Sequence, residues 1–405
     1  MPSGVNGTSC SAEDFALSQD SDFPNIYCLT RGDSIGLSFG IQAGLISIIA
    51  VVILFGLIVR NIVRHRKYAP RGSWTLLREP TDIYVLSLFT LDIIQALGKV
   101  TSIRWVYLGK TFSGEYCTAQ GALQQFGETG VACTTLVITI HTFMSVFWRR
   151  GLHSRIAAYI IVGLIYLFVS LWVGLGIGLH KDEDLPFYNP TPYWCWISSR
   201  YANERIGGEY LWLWLTLLIS IILYVPLFFW SQGNLSVDPE RWWRFRIHSR
   251  PAVLDFAGRR RRAFSILAYP AIYSILICPV SVIRWVGFGL EAQGLPSNIP
   301  SVATFIVDYT YTLSGVFNVS LLLLTRPNLL LFGPIPRGDD EAPMLPEPKN
   351  VSSDTQSSGT VGRLHDEDEG SGWDIPNPEA QTAMSHSTTH TATPATISAH
   401  PHPTN

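Results

Sequence analysis

Charge is scarce in this 405-residue chain: Asp, Glu, Lys and Arg make up 15% of it, against 47% hydrophobic residues. A soluble domain averages about 25% charged residues, so the shortage points to a membrane protein. Cysteine is scarce too, and six cysteines without any Cys-x-x-Cys spacing form neither a disulfide scaffold nor a metal site. There is no Gly-rich phosphate loop, no His-Glu-x-x-His and no paired Cys/His spacing. An enzyme, a cofactor, a bound metal and a nucleic-acid partner are therefore not expected. Residues 1–34 lack the apolar stretch of a cleavable signal sequence, so the first spanning helix is expected to act as its own insertion signal.

What the chain does have is long runs with little or no charge. A helix needs about 20 apolar residues to cross the hydrocarbon core. Seven stretches qualify, at about 35–59, 82–105, 117–148, 156–179, 210–230, 263–283 and 301–325. The expectation is an all-α membrane protein, a seven-transmembrane helix bundle over 35–332, with a short stretch 1–34 before it and a tail 333–405 after it. The second span is the weakest, because it carries Asp92, Lys99 and Arg104. Arginine and lysine settle the orientation. They collect in 60–78, in Arg149, Arg150 and Arg155, and in 241–262, which includes Arg259, Arg260, Arg261 and Arg262. That side is read as cytoplasmic, which puts the N-terminus outside and the tail inside. Dropping the second span would scatter these loops onto both sides. The tail, rich in Pro, Ser, Thr and acidic residues, is expected to be disordered. Its Ser and Thr are either phosphorylation sites or plain solvated surface.

Charged side chains inside a span are costly and usually face the bundle interior. Gln120, Gln124 and Glu128 recur every four residues and share one helix face. Asp308 lies in the last span beside Tyr309 and Tyr311, while Lys99, Arg104 and Arg284 fall near outer helix ends. Gln120, Gln124, Glu128, Asp308, Tyr309, Lys99 and Arg284 could line an outward-opening cavity for a small hydrophilic ligand. The alternative is a set of internal salt bridges, such as Asp308 with Arg284, that only hold helices together. Asp92 lies deeper, where Asn318 or Ser314 could meet it, as a hinge, an ion site or a structural network.

Cys117 and Cys195 both fall on the outer side, where a disulfide persists, and Cys10 and Cys28 could form a second; free thiols are the alternative for each pair. Cys133 and Cys278 read as small core residues. Asn6-Gly7-Thr8 is a glycosylation sequon. Pro270 and Pro279 should kink the sixth helix. Arg259, Arg260, Arg261 and Arg262 could touch a cytoplasmic partner or anionic lipid headgroups. The stretch 238–247 opens on an N-cap signature and continues with aromatic and basic residues. It reads as a short interfacial helix.

Seven spans, an outer N-terminus, the Cys117–Cys195 pair and a basic third inner loop together look like a G-protein-coupled receptor. The third span ends Trp148-Arg149-Arg150 rather than Asp-Arg-Tyr, and the seventh has neither Asn-Pro-x-x-Tyr nor a lysine for a retinal Schiff base. Two stretches, Tyr193-Trp194-Cys195-Trp196-Ile197 and Leu313-Ser314-Gly315-Val316-Phe317-Asn318 leading to Thr325-Arg326-Pro327, resemble the fungal cAMP-receptor-like and glucose-sensing receptors. The resemblance covers about 35–330. It implies a plasma-membrane receptor for a nutrient or cAMP, coupled through a Gα subunit to the cAMP pathway, with Arg149 and Arg150 near the G protein. A small-solute transporter or channel is the competing expectation, although no internal repeat of the transporter kind is visible.

Overall fold

The computed structural model describes residues 8, 10–19, 25–69, 74–147, 154–181, 183, 185–231, 234–237, 245–247, 256–293, 299–325 and 329–332; at 146, 231, 236–237, 245–247, 256–267, 269–270, 291–292 and 329 it describes the backbone only. The chain forms two units, Met1–Ala342 and Pro343–Asn405, and all of these residues belong to the first. Asn6, Arg149, Arg150 and the tail from 333 lie outside the described residues, as do the side chains of Arg259, Arg260, Arg261 and Arg262.

The helix starts follow from local capping. A short helix α1 (Ala12–Leu17) and strand β1 (Ile26–Cys28) lead to α2 (Arg31–Tyr68). Thr30 caps α2 by accepting from the Asp33 amide at 3.1 Å, and the Asp33 carboxylate returns the bond to the Thr30 amide at 3.0 Å. The far end of α2 carries His65, Arg66 and Lys67, which suit the negative end of the helix dipole. Next comes α3 (Pro80–Val100), with Pro80 in its first turn, where the missing N–H costs nothing. Asp82 accepts from the Arg78, Glu79 and Leu330 amides, fastening the turn Leu329–Leu331 to the start of α3. The expected span 82–105 thus ends early, and a separate turn α4 (Ile103–Leu108) continues it.

Strand β2 (Lys110–Phe112), α5 (Glu115–Val146), α6 (Arg155–Leu179), strands β3 (Tyr188–Pro190) and β4 (Cys195–Ile197), and α7 (Ala202–Arg205) follow. A single π turn, Ile206–Tyr210, feeds α8 (Leu211–Ser231). The first unit closes with strands β5 (Leu235–Val237) and β6 (Phe245–Ile247) and helices α9 (Phe256–Ala292), α10 (Ser301–Thr312) and α11 (Ser314–Thr325).

Six helical stretches among the described residues are long and apolar enough to cross a membrane: Arg31–Tyr68, Pro80–Leu108, Arg155–Leu179, Ser199–Trp230, Ala271–Leu290 and Ser301–Thr325. The chain is a multi-pass membrane protein. Helix α5 supplies the seventh rod. It has the length, at 32 residues, but less apolarity, because Gln120, Gln124, Gln125, Thr129 and Thr134 are buried along it. It packs against α3, α6 and α8 and under β3 and β4, so protein covers much of its length. Close approach to α3 requires glycine. A Cβ on Gly127 would stand 2.5 Å from the Gln95 backbone, and one on Gly98 would stand 2.7 Å from Gln124 Cγ. By contrast α6 fully buries only Ala158, Ile165, Val169 and Gly176, half-buries Ile161, Val162, Tyr166, Phe168 and Val173 against its neighbours, and leaves a row of Ile and Leu exposed.

Three features depart from the sequence expectation. Helix α9, which contains Pro270 and Pro279, runs past the expected 263–283 at both ends, so Arg284 lies two turns inside it. The last span breaks at Leu313 (φ −77°, ψ 5°). There Ser47 Oγ of α2 donates to the Thr312 carbonyl at 2.7 Å, replacing a helical bond. The expected interfacial helix over 238–247 is not formed at its end. Phe245-Arg246-Ile247 is a strand paired antiparallel with Leu235–Val237, the ladder satisfying a backbone that carries a β-branched residue; residues 238–244 lie outside the described set.

One end of the bundle is tied together covalently. Cys10 is bonded to Cys28 and Cys117 to Cys195. Strand β1 pairs with β2, and Thr111 Oγ1 donates to the Pro192 carbonyl at 2.7 Å. Lys110 Nζ lies 2.7 Å from Asp14 Oδ2, and that hydrogen bond holds the Asp14 carboxyl below its usual 3.8. Beneath these loops Trp105, Trp196, Tyr188 and Ile197 are almost wholly buried.

Candidate functional site

Under this tied end lies a cavity of about 490 Å³, counted out to its mouth. Gln124 and Glu128 of α5 form one wall and Trp194 and Trp196 of the β3–β4 hairpin another. Glu209 and Tyr210 enter from the π turn, Arg284 from α9, and Thr304, Asp308 and Tyr311 from α10. The π turn matters here: one extra residue per turn rotates the helix, and both Glu209 and Tyr210 are buried against the cavity.

The charges are unequally partnered. Asp308 Oδ1 accepts from Lys99 Nζ at 2.5 Å, and Lys99 Nζ also stands 3.8 Å from the centre of the Trp194 ring. The Glu128 and Glu209 carboxyls both line the cavity. Arg284 lies 5.7 Å from the Trp194 ring centre, and among the described residues it has no carboxylate within 4.0 Å. Five polar atoms of the lining have no partner among the described residues: Gln124 Oε1, Trp196 Nε1, Glu209 Oε2, Asp308 Oδ2 and Tyr311 OH. Buried polar atoms are nearly always hydrogen-bonded, and five that are not gather around one cavity.

Of the seven residues singled out as ligand contacts, Gln124, Glu128, Arg284 and Asp308 line the cavity. Lys99 reaches it through Asp308. Gln120 is occupied elsewhere: its Oε1 accepts from Trp105 Nε1 at 2.6 Å and from the Cys195 amide at 3.0 Å, and its Nε2 donates to Ser102 Oγ at 2.9 Å. It joins the loop to α4 and α5 and does not line the cavity. Tyr309 is half-buried on α10, outside the lining. Asp308 takes Lys99 as its ion partner and not Arg284. Glu209, Tyr210, Trp194 and Trp196 complete the site. The signal for Glu209 was its place directly ahead of the uncharged run 210–230, after Gly207 and Gly208.

A second polar cluster lies along α11. Asn318 Nδ2 donates to Asp92 Oδ2 at 2.9 Å, and Ser314 Oγ lies 3.3 Å from Asp92 Oδ1 and 3.4 Å from Gln95 Oε1. A second, mostly apolar cavity of about 600 Å³ includes Ser314, Asn318 and Tyr311 in its lining. Tyr311 therefore borders both cavities, next to the break at Leu313. Among the described residues no group of acidic, His or Cys side chains is placed to hold a metal ion.

No protein-family model and no curated protein sequence matches the chain. Among solved structures, the crystal structure of squid rhodopsin aligns with a TM-score of 0.48 at 14% identity, over 78% of this chain and 82% of that one.

Proposed function

We propose that the chain is a plasma-membrane receptor that binds a small polar molecule from outside and signals through a heterotrimeric G protein to the cAMP pathway. One observation carries the binding half: five buried polar atoms without partners converge on a cavity roofed by a disulfide-held loop. Two disulfides at the cavity end fit an oxidising exterior, and the basic end of α2 fits the cytoplasmic face. Tyr311, between the two cavities and beside the break in the last span, supplies a physical route from occupancy to the Asp92 cluster. An occupant that prefers one setting of that break shifts a two-state bundle by its differential affinity. Arg149, Arg150 and the run Arg259, Arg260, Arg261 and Arg262 are the proposed cytoplasmic contacts for Gα or lipid headgroups, and Asn6 the proposed glycan site.

Ligand-dependent nucleotide exchange on purified Gα, with the chain in lipid nanodiscs, tests the reading; no response from any Gα in the presence of a bound ligand would overturn it. The broken helix at Leu313 also suits a small-solute transporter or channel. Solute flux in proteoliposomes, with no effect on Gα, would favour that reading.

A further inference from the structure

We infer that the cavity takes a zwitterion of amino-acid type, its carboxylate on Arg284 and its ammonium among Glu209, Asp308 and Gln124. The inference rests on the receptor reading for what the cavity is and goes further in naming the chemistry of its occupant.

The cavity's charged groups divide into one ion pair already satisfied and a set left apart. Lys99 and Asp308 neutralise each other at 2.5 Å. Arg205, the other buried arginine nearby, donates to the Ile197 carbonyl at 2.9 Å and faces the Phe288 ring. What remains is the Arg284 guanidinium, with no carboxylate within 4.0 Å among the described residues, and the carboxyls of Glu128 and Glu209, which line the same cavity. A sheltered guanidinium is costly unless an anion meets its planar fork. The guanidinium and the acids line one space, so an occupant that meets both offers an anionic group to the one and a donor-rich cationic group to the other.

The orphan atoms point the same way. Three are acceptors: Glu209 Oε2, Asp308 Oδ2 and Gln124 Oε1. An ammonium offers three donors. Trp196 Nε1 and Tyr311 OH are left as donors for the second carboxylate oxygen or a side-chain oxygen. A net anion such as a cyclic nucleotide would meet the arginine but offer no cationic group to the acids. A neutral sugar would leave the arginine without a counter-charge.

The test is titration calorimetry on the full chain in nanodiscs. The probes are the twenty L-amino acids, glucose and cAMP, followed by the carboxamide and the des-amino acid of whichever amino acid binds best. At least one amino acid is expected to bind saturably, with both analogues weaker by about tenfold or more, since each leaves buried polar groups of the cavity unmet. Arg284→Gln is expected to lose the same factor for the parent and little for the carboxamide. The analogue series uses the unaltered protein, so misfolding of the variant cannot mimic the result. Absence of binding by all twenty, or carboxamide and des-amino analogues that bind as well as the parent, would overturn the inference. Glucose or cAMP binding without any amino acid would sink the zwitterion and leave the receptor standing. An amino acid that binds without Gα exchange would do the reverse.

Discussion

Lys99 Nζ lies 2.5 Å from Asp308 Oδ1 and joins α3 to α10 across the interior of the bundle. The pair crosses Gly40 of α2, where a Cβ would come within 3.0 Å of both Lys99 Cε and Asp308 Oδ2. Three helices thus meet at one ion pair, and removing one partner strands the other. Lys99→Met is expected to destabilise the protein by about 3–5 kcal/mol, seen as a lower midpoint in thermal unfolding. Adding Asp308→Asn to that variant should recover most of the loss, since no unpaired charge remains. An unchanged midpoint for Lys99→Met alone would show that the pair does not hold the helices.

The two disulfides should differ in worth. Cys117 and Cys195 are separated by 78 positions and Cys10 and Cys28 by 18. In the chain-entropy account the longer loop is stabilised by about 1 kcal/mol more. Cys117→Ser is therefore expected to cut surface expression more deeply than Cys10→Ser. The reverse order, measured by flow cytometry on tagged cells, would contradict it.

Gly127 separates packing from helix propensity. A Cβ there meets the Gln95 backbone at 2.5 Å, whereas one on Gly56 meets nothing within 4 Å. Gly127→Val is expected to cost about 1–3 kcal/mol or more from overpacking. Gly56→Ala should be neutral or stabilise by about 0.5–1 kcal/mol through helix propensity. Yields of monodisperse protein and thermal midpoints would read both.

Asp92 holds Asn318 and Ser314 beside the break in the last span. Asp92→Ala releases both without touching the cavity lining. Ligand affinity is expected to change little, while Gα exchange falls by roughly 5- to 150-fold, the range of a coupling free energy of about 1–3 kcal/mol. Equal losses in binding and exchange would place Asp92 in general stability instead.

At the tied end the pH dependence has a definite sign. Lys110's hydrogen bond holds the Asp14 carboxyl below its usual 3.8. Its contribution is therefore present above that value and is lost as pH falls through the lowered one. Lys110→Met should lower the thermal midpoint near neutral pH, and the gap to the unaltered protein should close in acid, as pH falls through the lowered value. The pair is partly exposed, so the gap should also shrink in high salt. A gap that persists in acid would assign Lys110 another role.

The sequence made the rods legible because the cost of placing charge in hydrocarbon is written residue by residue. The inward face of α5 was legible for the same reason: Gln120, Gln124 and Glu128 repeat at the helical spacing. The meeting of Asp92 with Asn318 and Ser314 could be read from depth alone. Hydropathy does not say how each rod is rotated. That is why Asp308 pairs with Lys99 rather than Arg284, and why Gln120 joins the loop to α4 instead of facing the cavity. The break at Leu313 depends on Ser47 of another helix, and the π turn at Glu209 on backbone geometry that no composition window registers. Strand β6 has its reason in a partner, Leu235–Val237, just beyond the segment from which a helix was read.

Helix α6 has four fully buried residues and a row of Ile and Leu turned out, an outer face suited to lipid. A saturation mutagenesis map should divide the two neighbouring rods sharply. Along α6, swaps among Leu, Ile, Val and Phe should pass unnoticed while any introduced charge fails; along α5, even a methyl-sized change should be rejected at the positions where glycine meets α3. Evolution would then be free to rewrite one helix at the pace lipids allow, and would hold the other nearly still.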